Sequence, residues 1–169
     1  MNISITFAVK SDIECIAAFI NQAWRATYAD LLSPEYLDSL STEKRSAALY
    51  KLYDSGNSYF LMLHINGDLI GAAILGKSLT EGYPDDGEIT ALYLRSDFIG
   101  RGFGHMLIER AQQVLTELGY CDFILDVFKD NDHAISFYET HGFKKVDERL
   151  LNLGGIEYPY ILLRKIAKS

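Results

Sequence analysis

Ile99-Gly100-Arg101-Gly102-Phe103-Gly104 stands between a strand-like segment, Glu88 to Leu94, and a long run with helical periodicity. Phe103, Leu107, Ala111, Val114, Leu115 and Leu118 mark one face of that helix, and Gly119 ends it. Glycines at alternate positions let the backbone approach a ligand closely and turn its N–H groups inward. The helix that starts here adds unpaired N–H donors and the positive end of its dipole. Together they form a cradle for a pyrophosphate, although a tight strand-to-helix turn would also use glycine. A dinucleotide fold fits poorly: G-x-G-x-x-G counted from Gly100 puts His105 at the third glycine, and counted from Gly102 puts Leu107 there.

Upstream, Ile3, Ile5 and Phe7 alternate as in a short strand. Ser11-Asp12-Ile13-Glu14 has the form of a capping box, and Ile16, Phe19, Ile20 and Ala23 follow at helical spacing. Ser33-Pro34 resembles an N-cap followed by proline at the first helical position, and a further helix spans about Thr42 to Ser55, closed by Gly56. Tyr59 to Ile65 and Leu69 to Leu75 form a hairpin through Asn66-Gly67, a type I′ pair. Residues 79 to 87 read as a loop. Downstream, Phe123 to Val127 is a buried strand, Asp130 or Asn131 caps a short helix through about Thr140, and strands near 143–151 and 158–165 join through Gly154-Gly155. The order β-α-α-β-β-β-α-β-α-β-β predicts an α+β protein: a mixed sheet with helices on both faces.

The glycine loop resembles the acetyl-CoA loop of the GNAT (general N-acetyltransferase) superfamily, Q/R-x-x-G-x-G/A, with Gly102 and Gly104 at its two glycines. Ile99 departs from its Q/R position, which costs a side-chain contact but no backbone donor. Asn131, Ala134, Phe137, Tyr138, Gly142 and Phe143 fit a second and more specific family pattern, N-x-x-A-x-x-F-Y-x-x-x-G-F. The resemblance implies one GNAT domain over residues 1–169, with a sheet that splays between its fourth and fifth strands. It implies acetyl-CoA as co-substrate, its pantetheine arm paired with the backbone of Leu92, Tyr93 and Leu94. Backbone amides from Gly100 through Arg101, Gly102 and Phe103 to Gly104 would hold the pyrophosphate. The Arg101 side chain either reaches a phosphate or is an exposed loop cation. Asn131 would hydrogen-bond the pantetheine as well as cap its helix.

Tyr138 matches the tyrosine that sits beside the cofactor sulfur in many family members, where a phenol can protonate the departing thiolate; it could also be plain core. Glu88 opens the fourth strand, where some members keep a catalytic glutamate able to take the ammonium proton; the competing reading is a surface carboxylate. The implied function is an N-acyltransferase moving acetyl from acetyl-CoA to a primary amine by direct transfer in a ternary complex. The alternative is a non-catalytic acyl-CoA-binding or sensor module on the same fold.

Bulk properties agree. The chain has 169 residues and a formal net charge of −7, with no dense Lys/Arg block, which argues against nucleic acid and favours a cationic small-molecule or peptide amine. Glu81, Asp85, Asp86 and Glu88 could rim an acceptor mouth, but a solvated loop is the preferred reading of that run. The resemblance puts Trp24, Tyr28 and the loop from Asn152 to Tyr158 where the family usually builds its acceptor pocket, but most of these aromatics could equally be packing. Cys15 and Cys121 belong to no metal or disulfide pattern and read as buried reduced thiols. No metal site, Ser/His/Asp triad, signal segment or membrane-length apolar run is legible, so a cytoplasmic protein is expected, and family analogy leaves room for a homodimer. Gly71-Ala72-Ala73-Ile74-Leu75-Gly76-Lys77-Ser78 satisfies the P-loop pattern, but its apolar interior continues a strand and no long helix follows. The acceptor's identity and the acyl-chain preference are not legible.

Overall fold

The computed structural model describes residues 1–167. Its strands are β1 (Ile3–Phe7), β2 (Ser58–Ile65), β3 (Asp68–Lys77), β4 (Gly87–Leu94), β5 (Phe123–Phe128), β6 (Lys144–Leu153) and β7 (Ile156–Lys165). Its helices are α1 (Ile13–Thr27), α2 (Pro34–Asp38), α3 (Thr42–Asp54), α4 (Phe103–Glu117) and α5 (Asp132–Thr140). The seven strands form one sheet in the order β1-β2-β3-β4-β5-β7-β6. Element order matches the sequence reading except that α2, the five-residue turn after Ser33, adds a helix between α1 and α3.

Alternation along β2 and β3 builds two cores, because successive side chains of a strand point to opposite faces. Leu61, Leu63, Ala73 and Leu75 join Leu107, Ile108, Ala111 and Leu115 of α4 in one cluster. Phe60, Met62, Ala72 and Ile74 join Ile13, Ile16, Ala17 and Ile20 of α1 and Leu49 of α3 in the other. Gly71 to Lys77 of the P-loop look-alike lie within β3, buried as far as Gly76, so it holds no phosphate loop.

Local signals fared unevenly. Asn66 (φ 51°) and Gly67 (φ 86°) make the hairpin turn as read. The capping box does not form at Ser11. Instead Asp12, whose carboxylate accepts from the Val9 N–H at 2.8 Å, closes a single 3-10 turn that leads into α1. Cys15 and Cys121 are exposed, not buried. Cys15 falls off the apolar stripe of α1, and Cys121 lies in the turn before β5.

The feature that positions the site is the junction of β4 and β5. These parallel strands pair only at Gly87↔Phe123 and Glu88↔Ile124 and then diverge. β4 stays paired with β3 up to Leu94, with Thr90 bulged out of register between Ile89 and Ala91. A bulge bends its strand and turns it away from its neighbour. From Ile89 onward the β5-facing edge of β4 therefore has backbone groups free for a ligand.

Candidate active site

Two cavities open along this gap. The first, of about 370 Å³, is walled by Leu92, Tyr93 and Leu94 of β4, by Gly100, Gly102, Gly104 and His105 at the head of α4, and by Asn131, Ala134 and Phe137 of α5. The second, of about 210 Å³, is walled by Trp24, Tyr28, Phe128, Leu151 and Tyr160 and by β4 from Ile89 to Tyr93. Tyr28, Leu92, Tyr93, Asp126 and Val127 line both, so the two chambers adjoin along one shared wall.

The first chamber has the parts of an anion cradle. Gly100 and Gly102 have φ of 80° and 89°, and a Cβ built on either meets nothing within 4 Å. Gly102 is the N-cap of α4 and has no side chain to cap it, so the first-turn N–H groups remain free donors. Gly104 serves differently. Its φ is ordinary, and a Cβ there would meet two ring carbons of Phe137 at 3.3 Å. This glycine lets α4 lie against α5. Of the expected cofactor residues, Arg101 and Phe103 are the two whose side chains do not line the chamber. Arg101 is exposed and stacks on Phe98 at 4.8 Å, and Phe103 is buried core, leaving only its backbone at the loop. Asn131 caps α5 by accepting from the Ala134 N–H at 3.3 Å through Oδ1, which leaves its Nδ2 donor for a ligand.

The second chamber is an aromatic box. Trp24 and Phe128 each stand edge-on to Tyr28 with ring centres 5.0 Å away. The half-buried Arg45 guanidinium lies 5.0 Å from the Trp24 ring and donates to Asn21 Oδ1 at 2.5 Å, which fixes Trp24 from behind. The Tyr28 and Tyr93 hydroxyls approach to 3.5 Å at the shared wall. Burial pushes the Tyr28 phenol up to about 12 and the Tyr93 phenol well above its usual range. Tyr138 is packed between Phe137 and Phe143 with its phenol also pushed up, first by burial and then by the charges of Tyr93 and Asp126. Tyr138 lines neither chamber; its ring packs against Phe137, which lines the first.

The acidic run is not a mouth. Asp86, 3% exposed, takes both Arg164 Nε at 2.7 Å and Nη2 at 2.9 Å. Arg149 donates to the Glu81 carbonyl at 2.9 Å. Glu88 is 5% exposed and lines neither chamber. Its Oε1 accepts from Thr80 Oγ1 at 2.6 Å, the Leu79 N–H at 3.0 Å and Ser78 Oγ at 3.4 Å. The structure does not bring Glu88 and Tyr138 together as facing groups. The carboxylate at the shared wall is Asp126, which the sequence reading passed over inside a strand taken as uniformly buried. The signal was there: it is the single polar residue in Phe-Ile-Leu-Asp-Val-Phe.

A family model described as "Acetyltransferase (GNAT) family" matches residues 21–143. The chain belongs to that family. Among curated relatives, an uncharacterized N-acetyltransferase, YuaI, of Bacillus subtilis (strain 168) is 27% identical over 162 residues, 91% of this chain and 87% of its own. The spermidine N(1)-acetyltransferase of Thermoplasma acidophilum is 26% identical over 149 residues, 87% of this chain and 91% of its own. Among solved structures, the PaiA N-acetyltransferase of Thermoplasma acidophilum in complex with coenzyme A has a TM-score of 0.76 at 24% identity, covering 98% of this chain and 99% of that one. GNAT membership accounts for the splayed sheet and the glycine loop, and it makes the chain an acetyltransferase. No helix among the described residues is long and apolar enough to cross a membrane.

Proposed function

We propose that this single GNAT domain transfers an acetyl group from acetyl-CoA directly to a primary aliphatic amine, the first chamber taking the donor and the second the acceptor. One observation carries the reading: the two chambers share the wall made by Tyr28, Leu92, Tyr93, Asp126 and Val127, so two bound substrates would meet there. Direct transfer needs such adjacency, because holding both reactants in place replaces a bimolecular encounter. The residues suit the donor. Gly100, Gly102 and the first turn of α4 offer N–H groups to a pyrophosphate, and the free edge of β4 and Asn131 Nδ2 offer partners to an amide-bearing arm. The PaiA neighbour bound to coenzyme A, and a Salmonella typhimurium neighbour, YncA, described with its cofactor acetyl-CoA, support the assignment.

Acetyl-CoA supplies the acyl group already activated as a thioester. Backbone N–H groups on the free edge of β4 stabilise negative charge on the thioester oxygen. Tyr138, set just behind the chamber-lining Phe137, is assigned by its motif the hydrogen bond to the departing sulfur. With its phenol pushed above its ordinary value, and an ordinary thiol near 8.5, it steadies a thiolate better than it delivers a full proton. Aromatic walls suit the methylene chain and cationic head of an alkylammonium. Relatives named for spermidine and spermine make polyamines the first acceptors to try.

An amine screen with acetyl-CoA tests this: spermidine, spermine, an aminoglycoside, amino acids and a peptide N-terminus. Thiol release matched by acetylated amine supports the reading. Acetyl-CoA binding with no release for any amine makes the domain a sensor.

A further inference from the structure

Asp126 is set where nothing in the free protein needs it. Its strand neighbours Leu125 and Val127 are 1% and 7% exposed, whereas Asp126 opens into the gap and lines both chambers. Asp126 itself is exposed to the gap, so the walls around it, rather than full burial, and the charge of Glu88 act on it, and no donor or cation contacts its carboxylate among the described residues. The acidic and phenolic groups around it are Glu88 and Tyr93 from β4, Tyr28 at the end of α1, Tyr138 from α5 and Tyr160 from β7. No Lys or Arg lines either chamber among the described residues, and the histidines present, His105 and His133, belong to the first. An exposed carboxylate in a concave site, with no cation beside it, is open to a cationic partner that arrives from outside.

We propose that Asp126 receives the acceptor's ammonium at the shared wall and takes its proton, and that Glu88 is a positioning residue acting through Asp126 as a fixed negative charge. This rests on the assignment of the two chambers to donor and acceptor. It narrows the acceptor to primary amines that are protonated in solution and carry their charge at the chain end. The ammonium gives one proton to the Asp126 carboxylate, and the neutral nitrogen forms a bond to the thioester carbon. The C–S bond breaks, and the second nitrogen proton ends on the released sulfur. Asp126 then returns its proton to water, so one proton is released per transfer.

Glu88 suits that part because it pairs with Ile124, two positions before Asp126 and so on the same face of β5, and its carboxylate is held by the Ser78–Thr80 segment. The walls of the gap first, and then the Glu88 charge, push the Asp126 carboxyl up to about 6. A base near that value is still ionised at neutral pH and takes a proton more readily than an ordinary aspartate near 3.9.

Two probes separate a base from a mere structural carboxylate: spermidine, protonated at neutral pH, and O-methylhydroxylamine, already neutral there. Asp126→Asn should lower kcat/KM for spermidine by about 10²-fold or more, with a rate that climbs steadily with pH as free amine forms. The loss for O-methylhydroxylamine should be far smaller. Glu88→Gln should move the acidic limb of the spermidine profile to lower pH, since removing a neighbouring negative charge lowers the Asp126 pKa. Carbon-13 titration of the Asp126 carboxyl, which needs no acceptor, should report about 6 and a lower value in Glu88→Gln. Equal losses for the two amines, or an Asp126 titrating near 3.9, overturn the assignment. If wild-type protein shows no calorimetric binding of acetyl-CoA, the reading of the chambers itself fails. If it binds and transfers but Asp126→Asn is undiminished, only Asp126 is wrong.

Discussion

Gly102 and Gly104 sit two residues apart in one motif, yet the structure gives them different work, and a pair of alanine substitutions separates it. At Gly102, φ is 89° and the space beyond Cα is open. Alanine there meets no atom but must hold a left-handed backbone, at a cost of about 1–2 kcal/mol. For a chain of this size that lowers Tm by roughly 2–8 °C at 2–4 °C per kcal/mol. Relaxing the strain re-aims the N–H groups at the head of α4, so acetyl-CoA affinity should fall at least tenfold, about 1.4 kcal/mol. At Gly104 the backbone is ordinary, and the new methyl would lie 3.3 Å from the Phe137 ring, which must give by a few tenths of an ångström. Helix propensity gains about 1 kcal/mol from Gly→Ala while crowding costs about 1–3, so stability should change little and affinity should drop less than at Gly102. Isothermal titration with acetyl-CoA and thermal melts of both variants decide it. If Gly104→Ala weakens binding more than Gly102→Ala does, the cradle has been placed on the wrong glycine.

Tyr138→Phe should lower kcat about tenfold or more with little change in acetyl-CoA affinity, because the lost hydrogen bond matters at the departing sulfur; wild-type turnover would return Tyr138 to the core. Arg164→Met should destabilise by about 3 kcal/mol in denaturant titrations, since it strands the buried Asp86 carboxylate. That figure is the low end for a buried pair, because the Arg164 side chain keeps 26% of its surface in water. Asp126→Asn should raise Tm above pH 6, where the wild-type fold must hold an unfavourable charge. The gain should vanish below about pH 4, where both folded and unfolded Asp126 are protonated. A variant less stable than wild type at neutral pH would contradict that account of its surroundings.

What was legible in the sequence was local. The 3.6-residue stripe of α4, the Asn66-Gly67 turn and the Gly56 and Gly119 helix ends are set by nearby residues. The glycine loop and the Asn131 to Phe143 motif were legible because each is one continuous segment. What escaped depends on distant partners. Asp86 read as a loop carboxylate because its partner Arg164 lies 78 residues away on β7. Glu88 could be placed at the start of β4, but its burial depends on how residues 78–80 fold back over it. Arg101 could not be resolved from sequence either, since its stacking on Phe98 is a matter of loop geometry. Asp126 was missed because a buried strand was expected to be buried on both faces. The splay that frees one side of it comes from the divergence of β4 and β5 after two paired residues.

Acetyl transfer itself is the most direct test of the account. Purified protein is mixed with acetyl-CoA and each amine of the screen, and free thiol and acetylated amine are measured together. The account predicts equal amounts of thiol and N-acetylated product with at least one primary alkylamine, both dependent on the presence of both substrates. Acetyl-CoA binding without thiol release for every amine, or thiol release without acetylated amine, would contradict it.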